Sequence, residues 1–105
     1  MKRFELRELR EAYAYAEAGG QALHVWRPAD LGELGEALRR RAPPAFQRYG
    51  LWAHLIDLDE PRLVATAREL GVPIIVVGRR GRRGQHVDLC GEPLRRALEV
   101  CALRR

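Results

Sequence analysis

The sequence predicts an α/β domain: a small mixed, mostly parallel sheet of about four strands with helices packed on it, in the order α-β-α-β-α-β-β-α. Three observations point there. Short apolar runs alternate with longer stretches in which apolar residues recur every three or four positions. Glu60-Pro61 and Glu92-Pro93 open two of the longer stretches, as strand-to-helix turns commonly do. At 105 residues the chain has room for one domain, so these elements share a single core.

Taken in order, residues 4–18 place Leu6, Leu9, Tyr13 and Ala16 at helical steps among alternating Glu and Arg. Gly19-Gly20 would stop that helix. Ala12-Tyr13-Ala14-Tyr15-Ala16 also alternates with period two, so a hairpin turning at Gly19-Gly20 is the competing reading. Gln21 to Trp26 reads as a short strand with Leu23 and Val25 on one face. Asp30 and Glu33 have capping-box spacing, opening a helix whose inner stripe would be Leu31, Leu34 and Leu38. Gly32 and Gly35 weaken it, and Pro43-Pro44 ends it. Gly50 to Asp57 is a second strand, apolar on both faces. Asp59 caps the next helix, which carries Leu63, Ala67 and Leu70 inward and stops at Gly71.

Pro73-Ile74-Ile75-Val76-Val77 is the most hydrophobic run and reads as a central strand flanked by helices. Gln85 to Leu89 is a last strand, expected antiparallel to that run. A final helix follows, with Leu94, Ala97, Leu98 and Cys101 on one stripe. Helical crossovers would make most neighbouring strands parallel.

Composition narrows the chemistry. An apolar content of 47% with 31% charged residues is that of a folded chain and not a disordered one. No apolar run approaches the ~20 residues of a membrane span, and the start is charge-rich, so a cytoplasmic setting is expected. Cys90 and Cys101 lack any C-x-x-C spacing and are expected to be reduced thiols there. Lys2 is the only lysine among 19 basic residues, and serine and asparagine are absent. Scarce thermolabile amides and many charges suit a heat-adapted source. A serine nucleophile is excluded, and the one threonine, Thr66, falls inside a predicted helix. Catalysis, if any, falls to His, Cys, Asp, Glu, Tyr or Arg. A small domain of this size also gains from forming a homodimer.

Two groups of residues suggest function. The three histidines recur about thirty positions apart, near predicted strand ends: His24, His54 and His86. If their strands are neighbours, His54, Asp57, His86 and Asp88 would form a divalent-metal site, and a metal-bound water would suit a small hydrolase. An antiparallel last strand would work against that convergence, and a strand-end histidine is often only a half-buried polar residue. The second group is Gly78-Arg79-Arg80-Gly81-Arg82-Arg83-Gly84, a glycine-spaced loop of four guanidinium groups. Arg79, Arg80, Arg82 and Arg83 suit phosphate oxygens, and the net charge of +5 favours nucleic acid or a phosphorylated ligand. The pattern is not that of a nucleotide-binding P-loop. A protein-interaction role without catalysis, with those arginines meeting acidic groups, is the remaining alternative.

Three pieces of the chain carry a resemblance: Gly50-Leu51-Trp52-Ala53-His54-Leu55, Leu70-Gly71-Val72-Pro73 and His86-Val87-Asp88-Leu89. From about Arg48 to Leu98 the chain resembles a family of short bacterial proteins of unknown function with Gly-x-Leu-Trp-x-His-Leu and His-Tyr-Asp-Leu motifs. Val87 stands where that family has tyrosine. The resemblance implies that Trp52, His54, His86 and Asp88 share one site, and it carries no reaction with it.

Overall fold

The computed structural model describes residues 1–103. Its four-stranded sheet runs in sequence order, β1 (Lys2–Phe4), β2 (Ala22–Trp26), β3 (Trp52–Ile56) and β4 (His86–Leu89). Helix α1 (Leu9–Glu17) joins β1 to β2, α2 (Gly32–Arg41) and α3 (Pro44–Gln47) lie between β2 and β3, α4 (Glu60–Leu70) follows β3, and α5 (Gly91–Ala102) closes the chain. None of these helices is long and apolar enough to cross a membrane.

The sheet is mixed, as expected, but it is not mostly parallel. Only β1 and β2 run parallel; β2–β3 and β3–β4 are antiparallel. The reason lies in two connections. The α2–α3 segment turns the chain back beside β2 without crossing over the sheet. After α4 the chain passes through residues 72–77, with a bend at Pro73–Ile74 and no strand assigned, before turning into β4, which runs antiparallel to β3.

That segment includes Pro73–Val77, the run expected to be the central strand. Its one ladder contact is an antiparallel bridge between Gly78 and His86, closed by two main-chain hydrogen bonds. Ile75 and Val77 pack against the core, while Ile74 and Val76 are 79% and 70% exposed. The run therefore lies outside the sheet, beyond the β4 edge. A second difference is β1. Lys2–Phe4 pair with Ala22–His24, so the first helix starts later than expected, after a 3-10 turn at Leu6–Glu8. The hairpin alternative is not seen, because α1 runs to Glu17 and ends where Gly19 adopts φ +96°.

Strand side chains alternate between faces, and the two faces differ. On one, Leu23, Val25, Ala53, Leu55, Val87 and Leu89 form the main core under Leu63, Ala67, Leu70, Leu94 and Ala97 of α4 and α5. These are the helical stripes the spacing predicts. On the other, α1 covers one end by burying Ala12 and Ala16 against Phe4, Ala22 and Ile56. The small alanines, and not Leu9, make that contact; Leu9 is exposed. Leu34 and Leu38 of α2 are also exposed, so the expected leucine stripe is not its packing face. That face is Gly35, whose bare Cα leaves room for the Pro28 carbonyl. The rest of the second sheet face stays open to a cavity.

Candidate metal centre

The open face carries a step-two pair on each of three adjacent strands: His24 and Trp26, Trp52 and His54, His86 and Asp88. Register aligns them. His24 opposes His54, His54 opposes Asp88, and Trp26 opposes Trp52. Antiparallel pairing does not separate the histidines, because they sit within strands whose register places them side by side. The His24 and His54 rings are stacked at 5.9 Å, and the His86 ring meets His54 edge-on at 4.8 Å.

His54, His86 and Asp88 converge, with their donor atoms all within 4.8 Å of one another. The two imidazole Nε2 atoms lie each 3.4 Å from the same carboxylate oxygen, Asp88 Oδ1. His86 is oriented from behind, its Nδ1 lying 2.8 Å from the Gly84 carbonyl oxygen. A carbonyl only accepts, so Nδ1 carries the proton and the neutral ring keeps its Nε2 lone pair toward Asp88. His24 is held through Nε2, 3.1 Å from the Leu6 carbonyl oxygen, and its buried Nδ1 has no partner.

Surroundings divide the charges unevenly. Burial dominates at His54 and lowers its pKa from 6.5 to about 4, with His86 and His24 adding to the effect against the pull of Asp88. Burial also works against a charged His86, but Asp88 and the Gly84 carbonyl outweigh it and raise its pKa. At Asp88 burial is outweighed in turn by the two histidines, which lower its pKa. His54 is thus neutral around pH 7, the form in which imidazole ligates a metal.

Asp57, the fourth residue expected at this site, is elsewhere. It has the parity of Leu55 and not of His54, so it lies on the opposite side of β3. It is fully buried and binds Arg62 through Nε at 2.7 Å and Nη2 at 2.8 Å. Gln21 Nε2 and the Asp59 main-chain N–H donate to it as well. Its acceptor capacity is filled, which is the pattern of a structural carboxylate.

A cavity of about 340 Å³ opens beside the cluster, lined by Trp26, Trp52 and Phe46 with Leu38, Pro43, His54 and Asp88 among its other walls. The Trp52 indole N–H is anchored to the Phe46 and Tyr49 carbonyls, which ties α3 to β3 and sets this wall. Trp26, Phe46 and His24 were not among the expected site residues. The signal that finds two of them is the alternation itself, since His24 and Trp26 repeat the step-two spacing of His86 and Asp88.

The arginine loop is folded back on the protein. Arg80 pairs with Glu60 at 2.7 Å, and Arg83 pairs with Glu17 at 3.2 Å while lying over the Tyr13 ring. Main-chain bonds from Arg82 to Arg79 and from Gln85 to Arg82 make it a chain of turns, with Gly81 N–H donating to the Gln85 side chain. Arg79 and Arg82 remain exposed. No protein-family model matches the chain, and no curated protein or solved structure matches it either.

Proposed function

We propose that this chain binds a divalent transition metal through His54, His86 and Asp88 and presents it to a small molecule in the aromatic cavity. The carrying observation is the convergence of three donors, with Asp88 Oδ1 3.4 Å from each Nε2 atom. Donors about 2.1 Å from a tetrahedral metal lie about 3.4 Å apart, so two of the three separations already fit and the third, within 4.8 Å, would close by rotation of a histidine ring. Two histidines and one carboxylate leave coordination positions open, and that ligand set suits Zn²⁺, Fe²⁺, Mn²⁺ or Co²⁺. Such a metal supplies Lewis-acid polarisation or an acidic bound water, so hydrolysis is the reaction class favoured. The chain's own part is to fix the His86 tautomer, keep His54 uncharged and shape a largely apolar cavity.

Phosphate or nucleic-acid binding through Arg79, Arg80, Arg82 and Arg83 has less support, because Arg80 and Arg83 already have carboxylate partners.

The test is thermal unfolding with and without each metal. Zn²⁺ or Co²⁺ should raise the melting temperature of the wild-type chain; the ligation free energy adds to stability by mass action, about 2.7 kcal/mol at a hundred times Kd. His86→Ala and His54→Ala should abolish the rise. An equal rise in either variant would refute the site.

A further inference from the structure

The cavity beside the cluster is walled chiefly by aromatic and aliphatic side chains. The chain carries 19 basic residues, yet among the described residues no arginine or lysine lines that cavity. Its charged wall is Asp88, an acid. In the metal-free site a phosphate ester would meet a carboxylate and neither arginine nor lysine, unlike a phosphate pocket built from guanidinium groups. The remaining wall is chiefly aromatic and aliphatic. Trp26 and Phe46 each stand edge-on to Trp52, at 5.4 Å and 5.7 Å between ring centroids. This arrangement provides ring faces and edges for a further flat ring.

Size agrees. An apolar cavity of about 150 Å³ holds one benzene ring. The 340 Å³ here therefore has space for one ring with a polar substituent.

We infer that the site takes a small, uncharged aromatic compound with an oxygen donor, such as an aryl hydroxamic acid or aryl carbonyl compound, and not a phosphate ester. The ring lies among Trp26, Phe46 and Trp52, and the oxygen points toward His54, His86 and Asp88. Only the oxygen end rests on the metal proposal; the ring end rests on the cavity alone.

Both tryptophans of the chain line the cavity, so intrinsic fluorescence reads its occupancy directly. Three probes separate the chemistries: benzohydroxamic acid, acetohydroxamic acid and phenyl phosphate, each titrated into metal-free and Co²⁺-treated protein. Benzohydroxamic acid should bind at least about tenfold tighter than either other probe in both forms. Phe46→Ala, which removes one ring of the cavity wall, should erase most of that preference. Equal affinity for the two hydroxamic acids, tightest binding of phenyl phosphate, or no response to the aryl probe would each overturn the inference. Absence of Co²⁺ d–d absorption bands would defeat the metal proposal separately, and the metal-free titration would still decide the aromatic preference.

Discussion

Asp57 and Asp88 are carboxylates at opposite extremes of this fold. Asp57 has no exposure and a filled set of donors, with the exposed end of Arg62 closing over it. Removing it strips a buried partner from Arg62 and Gln21, so Asp57→Ala should cost about 3 kcal/mol in urea unfolding. Asp88 is more than half exposed, so Asp88→Ala should cost about 1 kcal/mol or less while losing the metal-induced rise. The histidines make stability depend on pH in a definite direction. The folded chain resists protonating His54 until about pH 4, whereas an unfolded histidine protonates near 6.5. Its contribution is thus present above pH 6.5 and lost as pH falls toward 4. His86, with a raised pKa, acts oppositely: its contribution is full below 6.5 and fades as pH rises through its folded value. The His54 shift is the large one, so the metal-free melting temperature should fall between pH 7 and pH 4.5, and less in His54→Gln. Asp88, with a lowered pKa, loses its contribution only below its usual 3.8, outside that window. Residue identity made His54, His86 and Asp88 legible as candidates from sequence. Asp57 lies an odd step from His54, so the strand alternation that aligns His54 with Asp88 places it on the other face.

At the scale of the element, Gly35 shows how packing overrides propensity. In an exposed helix, replacing glycine with alanine gains about 1 kcal/mol. Here an added Cβ would fall 1.7 Å from the Pro28 carbonyl oxygen, a backbone atom that cannot swing aside. Gly35→Ala should therefore destabilise the protein by about 2 kcal/mol or more, measurable as a lower melting temperature. Helices α4 and α5 were legible because their apolar stripes coincide with the face that packs on the sheet. Helix α2 is legible as a helix, but its packing face is not, because Leu34 is exposed, Leu38 borders the cavity, and the contact is made by a glycine, which carries no hydropathy signal. β1 was hidden for another reason: its three residues merge with the helical spacing of Leu6 and Leu9. The Pro73–Val77 run has the composition of a buried strand, and composition alone does not separate that from an apolar segment beyond the sheet edge.

Over the whole molecule, strand direction was the part least visible in sequence. It depends on whether a connection crosses the sheet or turns back at its end, and both kinds are built here from helices of ordinary composition. The outcome leaves Ile74 and Val76 exposed outside the sheet, an apolar surface that invites association with another chain. Sedimentation velocity should show the wild-type chain self-associating at tens of micromolar, and Ile74→Lys with Val76→Lys should leave a monomer with an unchanged melting temperature. A monomeric wild type would show that this edge needs no cover.

The shared register of β2, β3 and β4 has a further consequence. Every candidate ligand alternates with a core residue: His54 between Ala53 and Leu55, His86 just before Val87, Asp88 between Val87 and Leu89. A slip of one position would drive the leucines into the cavity and the histidines into the core, so the spacing of the donors is maintained by the same burial that maintains the fold. The arginine loop is an exception, because its Gly84 carbonyl orients His86. The donors' spacing is thus tied to the packing of the core and not to a separate scaffold.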